Sequence, residues 1–378
     1  MAEHEKVFFS ILRSALWGTP VEIPGRFSKW NAIMKLAKSQ ALLGLVADVL
    51  LTKNEIRDSL PANFVEMLQK IPMTTLGMYA KMNITLQHLV LTLRKAGVEP
   101  VLLKGQGLSK YYPVPELRQC GDIDIYVGKE NYEKAYDAII PIVSEIEDRS
   151  TIWSHIHFHA SIGAVTIEVH YKADYLTISS TQGFYQTIVN DGLSKDLHPI
   201  RFGEVDVMTP NDTYNTFYIF HHLWRHFSSS GVGLRQFCDW ACFLHAHVDK
   251  LDLPYLEKML EDLGFMKPWQ VLGCFLVKDL GLPEDEFPFY NKRYVAKVDR
   301  VREYVMTDGN FGVNVSAGRE KSRGYLHGKW VSFKYHILRF FRMFAIFPKH
   351  TMLRLNYTLK RGVAQVFKDL RKRINKDR

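Results

Sequence analysis

Two aspartates stand one residue apart inside an apolar run, "LRQCGDIDIYV", residues 117–127. Asp122 and Asp124 alternate with Ile123, Ile125 and Val127, the period of a β-strand that is apolar on one face. Its other face begins with two like charges roughly 7 Å apart, the two-residue repeat of a strand. Downstream, "VTIEVHY" repeats the pattern, with Thr166, Glu168 and His170 on one face and Ile167 and Val169 on the other. If the two strands are neighbours, Glu168 faces the aspartate pair. Three carboxylates converging in an apolar setting must protonate or gain a cation. Mg²⁺, with Mn²⁺ as a substitute, suits them, because it is hard and is held by a few carboxylates together with substrate phosphates. Two such ions can activate an attacking oxygen and stabilise the leaving oxygen of an in-line phosphoryl displacement.

Upstream, "LLKGQG" ends a short apolar run and opens a helical pattern, so the Lys104–Gly105–Gln106–Gly107 turn is expected to aim backbone N–H groups and a helix dipole at an anion. Gly105 and Gly107 allow close approach of the backbone to a phosphate, and Lys104 and Arg118 add positive charge, Arg118 as a planar fork. Each of these features also has a plainer reading. The aspartates can be a solvated strand face, Glu168 an exposed carboxylate, and Lys104 and Arg118 surface cations. His155, His157, His159 and His170 could together form a zinc site, but a polar hairpin face is the preferred reading. His221, His222 and His226 share a helix with Trp224 and are read as lining a cleft between helices and sheet. Arg235 and Asp239, four apart, are read as an intrahelical ion pair, with a substrate contact as the alternative.

The elements that position these residues follow from periodicity. Residues 5–95 read as helical: "SKWNAIMKLAKSQALLGLVADVLLTK" has apolar residues at three- and four-residue spacing behind Ser28 as N-cap, and a second helical stretch runs from Pro61 to Lys95 and stops at Gly97. Strand, turn and helix, strand, helix and a hairpin follow, an α+β pattern on one mixed sheet. From Pro210 the pattern is helical again to about residue 307. Residues 308–328 read as a Gly- and Ser-rich loop, and the last fifty residues as basic helices.

With 378 residues, 47% apolar and 24% charged, the chain has the composition of a folded protein of two or three domains. Its opening residues lack a signal-like apolar block. Cys238 and Cys242 read as buried thiols, and four cysteines make a poor disulfide framework, so a cytoplasmic setting is expected. Of the net charge of +9, residues 331–378 supply more than all: 13 Lys or Arg stand against two Asp there, leaving −2 for the rest. A body without a basic stripe argues against a long nucleic-acid track. In the tail, Phe333, Ile337, Phe340, Phe341, Phe344 and Phe347 recur at helical spacing among Lys334, Arg339 and Arg342. Docking of this face on the protein's own core is the first expectation. Peripheral contact with the inner face of a membrane through residues 331–378 comes second and nucleic-acid binding third.

The order strand, Gly turn, helix, Asp-x-Asp strand and later acidic strand resembles the DNA polymerase β-like nucleotidyltransferase superfamily. The segments "LLKGQGLSKYYPVPELRQCGDIDIYV", "IEVHY" and "HHLWRH…GLRQFCDW" are similar to its uncharacterised bacterial nucleotidyltransferase branch, over roughly residues 100–245. The resemblance implies that Asp122, Asp124 and Glu168 hold the catalytic metals and that the turn at Gly105 holds phosphates of an NTP. The superfamily turn reads Gly-Ser or Gly-Gly, whereas this one is Gly105-Gln106-Gly107, which leaves phosphate handling to Lys104 and backbone amides. It further implies a nucleotidyltransferase α/β core at 98–209 between helical regions at 1–97 and 210–307, with the loop and basic aromatic helices at 308–378. The expected reaction moves a nucleoside monophosphate from an NTP to a small-molecule or glycan hydroxyl. A tRNA- or protein-modifying enzyme and a catalytically inactive binding module are the alternatives.

Overall fold

The alternation at residues 122–127 becomes strand β2 (Asp122–Tyr126), and it sits mid-sheet. In this computed structural model the described residues are 1–146, 155–160, 165–174, 176, 181–229, 231–309 and 325–357. The other strands are β1 (Val101–Leu102), β3 (Val143–Ile146), β4 (His155–Ala160), β5 (Thr166–His170), β6 (His198–Phe202) and β7 (Val205–Thr209). They form one mixed sheet of order β3-β4-β5-β2-β1-β7-β6. β2 runs parallel to β5 and antiparallel to β1, and β1 runs parallel to β7. The fold is thus of the expected α+β type on one mixed sheet, with three strands, β3, β6 and β7, beyond those read from sequence.

Helices cover both faces. Before the sheet come α1 (Glu3–Trp17), α2 (Trp30–Ser39), α3 (Leu43–Thr52), the single turn α4 (Asn54–Arg57) and the 34-residue α5 (Ala62–Lys95). Between strands lie α6 (Gln106–Ser109), α7 (Gly128–Ile139) and α8 (Gln182–Gly192). After the sheet come α9 (Asp212–Ser229), α10 (Leu234–His247), α11 (Leu253–Asp262), α12 (Met266–Phe275), α13 (Val298–Asp308) and α14 (Tyr325–Ile346). One face of the sheet, with Ile123, Ile125, Ile167 and Val169, packs on Leu86, Leu89 and Leu93 of α5 and Ala135 and Ile139 of α7. The other face carries Asp122, Asp124, Glu168 and His170. A larger core beside it joins α1–α3 to α9–α13, with Trp240, Trp269 and Phe220 fully buried.

The helical stretch read through residues 28–53 is two helices. Ala41 has φ +56° at the break, and the first helix starts after Lys29, with no side-chain cap from Ser28. The reason lies across the core. Gln40 is fully buried, and its Oε1 accepts from the backbone N–H of Leu234, satisfying the first turn of α10. The tail meets its first expectation in part. Met343, Ile346 and Phe347 are buried, with Phe347 edge-on to Trp224 at 4.9 Å, whereas Phe341 and Phe344 are exposed. Arg339 donates to the carbonyls of His226, Phe227 and Ser229 at the end of α9 and to the Tyr304 hydroxyl. The side chains of Phe333 and of His155, His157 and His159, the loop at 310–324 and the basic run after residue 357 lie outside the described residues.

The core tolerates no added volume at Gly273 of α12, where a Cβ would lie 2.0 Å from Cζ of Phe287. Gly273→Ala is expected to lower stability by about 1–3 kcal/mol, since the ring it meets is itself wedged between Trp240 and Trp269. Urea unfolding measures this, and a loss within error of zero would refute the packing described.

Candidate functional site

β2 and β5 pair in parallel with Asp124 opposite Glu168, Asp122 opposite Thr166 and Tyr126 opposite His170. The register therefore delivers what the two alternating sequences required: the carboxylates of adjacent strands on one face. Ligand atoms of Asp124, Glu168 and His170 all lie within 4.8 Å of one another. Asp124 is fully buried, Glu168 half-buried, and Asp122 sits at the rim.

A buried carboxylate is costly unless matched. Two cations match Asp124. Lys104, just past β1, places Nζ 3.0 Å from Oδ1, and His170 places Nε2 3.0 Å from the same atom. His170 also lies 3.4 Å from Glu168. Burial pushes the His170 pKa down, but its hydrogen bonds to Asp124 and Glu168 outweigh that and raise it above its ordinary value. Lys104 is likewise raised, because Asp124, Asp122 and Glu168 together overcome desolvation. Asp122 holds its proton more tightly than an ordinary aspartate, chiefly through repulsion by Asp124 and then through burial. Oδ2 of Asp124 is buried and has no hydrogen-bond partner among the described residues. An orphaned carboxylate oxygen beside two further carboxylates is a donor set that fits a divalent cation.

The turn before the site differs from its sequence reading. Gly105 has φ +63°, and a Cβ there would meet the Asp122 carbonyl oxygen and Cys120 Sγ at 3.3 Å, so glycine is required for both conformation and approach to β2. Helix α6 is one turn long. Gln106 is fully buried and donates from Nε2 to Asn83 of α5 at 2.6 Å, while Gly107 packs against Leu102 and Thr209. Of the four turn residues, the cleft is lined by Lys104 and Gly105.

Arg118 does not offer a free fork. Its Nε and Nη2 donate to the two carboxylate oxygens of Asp239 at 2.7 and 2.8 Å, and Tyr112 donates to the same carboxylate at 2.7 Å. All three are buried. Arg118 lines the cleft only as a structural tie from the segment before β2 to α10. This also corrects the intrahelical Arg235–Asp239 pair: Asp239 belongs to Arg118, and Arg235 instead donates from Nη1 to the Gln119 carbonyl at 2.8 Å. Arg235 Nε is buried without a partner among the described residues, and its side chain lines the cleft opposite Asp122 and Asp124. Arg235 and Lys104 thus line the cleft together, Lys104 paired with Asp124. Sequence spacing pointed to the i,i+4 pair because it reads only local neighbours.

The helical wall is α9 and α10. Tyr218 and His222 of α9 and Arg235, Gln236 and Asp239 of α10 face Lys104, Asp122 and Asp124. Burial, then the charge of Lys104, keeps His222 well below the ordinary histidine pKa, so it is neutral. His222 was read from sequence as lining such a cleft. His170 was not read as a partner of the aspartates, although its place two residues after Glu168 on the same strand face was visible. The space enclosed among these groups is small, about 40 Å³, room for an ion and one or two waters. Beyond Arg118 and Cys120, a second cavity of about 200 Å³ opens against α5, lined by Thr74, Thr75, Met78, Tyr79 and Met82.

A family model described as "Uncharacterised nucleotidyltransferase" matches residues 28–278. Among solved structures, an antigenic nucleotidyltransferase-like protein from Paracoccidioides brasiliensis is similar over 44% of this chain and 77% of its own, at 10% identity and a TM-score of 0.33. Comparison with curated proteins gave no match.

Breaking the Arg118–Asp239 pair leaves a buried charge unmatched. Asp239→Ala is expected to cost about 3–5 kcal/mol, and the double variant Arg118→Met/Asp239→Leu distinctly less, because no charge is then stranded. Urea titrations of both decide it. A double variant no better than the single would show that the tie is not electrostatic.

Proposed function

The chain belongs to the uncharacterised nucleotidyltransferase family, and from that premise we propose that it transfers a nucleoside monophosphate from an NTP to a hydroxyl of a small molecule or sugar, with Mg²⁺, in the cytoplasm, breaking the α–β phosphoanhydride bond and releasing pyrophosphate and the hydroxyl proton. The observation that carries the reading is the parallel register that sets Asp124 beside Glu168, with Asp122 on the same face and one Asp124 oxygen buried without a hydrogen-bond partner among the described residues. Asp122, Asp124 and Glu168 are the proposed ligands. His170 is assigned to orient rather than to ligate: its Nε2 lies 3.0 Å from Asp124 and 3.4 Å from Glu168, in reach to hold both carboxylates, and the three carboxylates then make an all-oxygen set, which suits Mg²⁺. An ion held by Asp122, Asp124 and Glu168 would supply charge neutralisation for the triphosphate and would make the attacking hydroxyl more acidic.

Lys104 and Arg235 flank this position from the sheet and from α10, and they would receive phosphate oxygens, Arg235 through the Nε that lacks a partner. Gly105 lets the backbone follow. Because the enclosed space suits only an ion and one or two waters, the nucleoside lies outward from it. The cavity of about 200 Å³ across Arg118 and Cys120 is the proposed acceptor seat. Its hydroxyl-bearing and apolar walls suit a sugar-sized molecule better than the end of a tRNA.

Incubation with α-labelled NTP, Mg²⁺ and a lysate separated into small molecules, RNA and protein tests the reading. Label is expected in the small-molecule or glycan fraction, and label in RNA would replace the acceptor class. Asp122→Asn and Asp124→Asn are expected to reduce transfer by at least about a hundred-fold. If neither substitution changes the labelled product, the assigned site is wrong. Arg235→Ala should raise the NTP KM about ten-fold or more, the worth of a charged hydrogen bond, with a smaller effect on kcat.

A further inference from the structure

Helix α14 is apolar on two opposite sides. Successive helical residues turn by about 100°, so Arg339, Met343 and Ile346 share one side, and this side, with Phe347 just past the helix end, is buried against α9 and α13. The same rotation places Trp330, Ile337, Phe341 and Phe344 in a narrow stripe almost diametrically across the helix. These four are exposed by 62%, 40%, 63% and 41%. An aromatic stripe of this kind left in water marks a docking surface. Lys334, exposed, lies beside it on the same helix.

We propose that this outward stripe docks on an anionic lipid surface. Three observations favour that occupant. The stripe combines exposed aromatics with a lysine beside it, the pattern of a helix lying in the headgroup boundary, and it begins with a tryptophan, which prefers that boundary. From Trp330 to Phe344 it runs about 20 Å, long enough to lie flat, and among the described residues no helix is long and apolar enough to cross a membrane. Finally, residues 331–378 carry 13 Lys or Arg against two Asp. Apposing two copies of the chain would bring those like charges together, whereas anionic headgroups neutralise them. Nucleic acid would meet the lysines but leave the aromatic stripe in water. The proposal is independent of the transfer reaction.

The test is flotation of the full chain with vesicles of phosphatidylcholine alone or mixed with phosphatidylglycerol. Flotation is expected with the mixed vesicles only. The variants Phe341→Ser/Phe344→Ser and Lys334→Glu should each reduce vesicle binding at least about ten-fold. Both should keep the wild-type thermal midpoint, since every altered side chain points outward. Should the serine variant fold poorly, the lysine variant still decides. Failure of the full chain to float with anionic vesicles overturns the proposal, as does undiminished flotation of the folded variants. So does a dimer in sedimentation equilibrium that the serine substitutions dissolve, which would assign the stripe to a second copy.

Discussion

The organisation of this molecule depends on Asp124, a carboxylate with no exposed surface in the middle of a sheet. A charge in that position must be matched, and its partners come from the two strands that flank β2. Lys104 follows β1, and His170 ends β5. The strand order therefore has an electrostatic reason as well as a steric one: with β1 or β5 elsewhere in the sheet, Asp124 would be stranded. Lys104 and His170 both meet Oδ1, while Oδ2 of Asp124 is buried with no hydrogen-bond partner among the described residues.

A second constraint holds the helical wall over that face. Arg118, Asp239 and Tyr112 form a buried network between the segment entering β2 and α10, and Gln40 of the N-terminal helices secures the start of α10. The cleft is thereby built from parts that are far apart in the chain and share one core. The family match over residues 28–278 spans both the N-terminal helices and this wall.

What could be read from the sequence was whatever is encoded in local periodicity. The faces of β2 and β5, the extent of α5 and its end before Gly97, and the buried thiols of Cys238 and Cys242 all follow from spacing and residue type. β1 has two residues, too few to show a period, and was legible only as the apolar run before the turn, whereas β3, β6 and β7 were not legible at all. Gln106 looked like part of an exposed turn, but Asn83 of α5 holds it inside. Ala41 interrupts a helix that its own sequence favours, because Gln40 answers to Leu234, 194 positions away. Arg118 and Asp239, 121 positions apart, were each read with local neighbours or solvent. Periodicity tells which face a side chain takes; it does not tell which distant group will meet it there.

Arg339 shows how far such distant partners reach. A helix ends with carbonyls that lack intrahelical donors, and its C-terminus favours a cation. At the end of α9 that cation comes from α14, more than a hundred positions later. α9 also carries Tyr218 and His222 into the cleft. A shortened chain that stops before Arg339, the natural choice for removing a basic and sticky tail, would uncap this helix while leaving every residue of the cleft in the sequence. Loss of transfer in such a fragment would then report an unfastened wall, not a missing chemical group, and a catalytic role assigned to the tail on that basis would be an artefact of where the chain was cut.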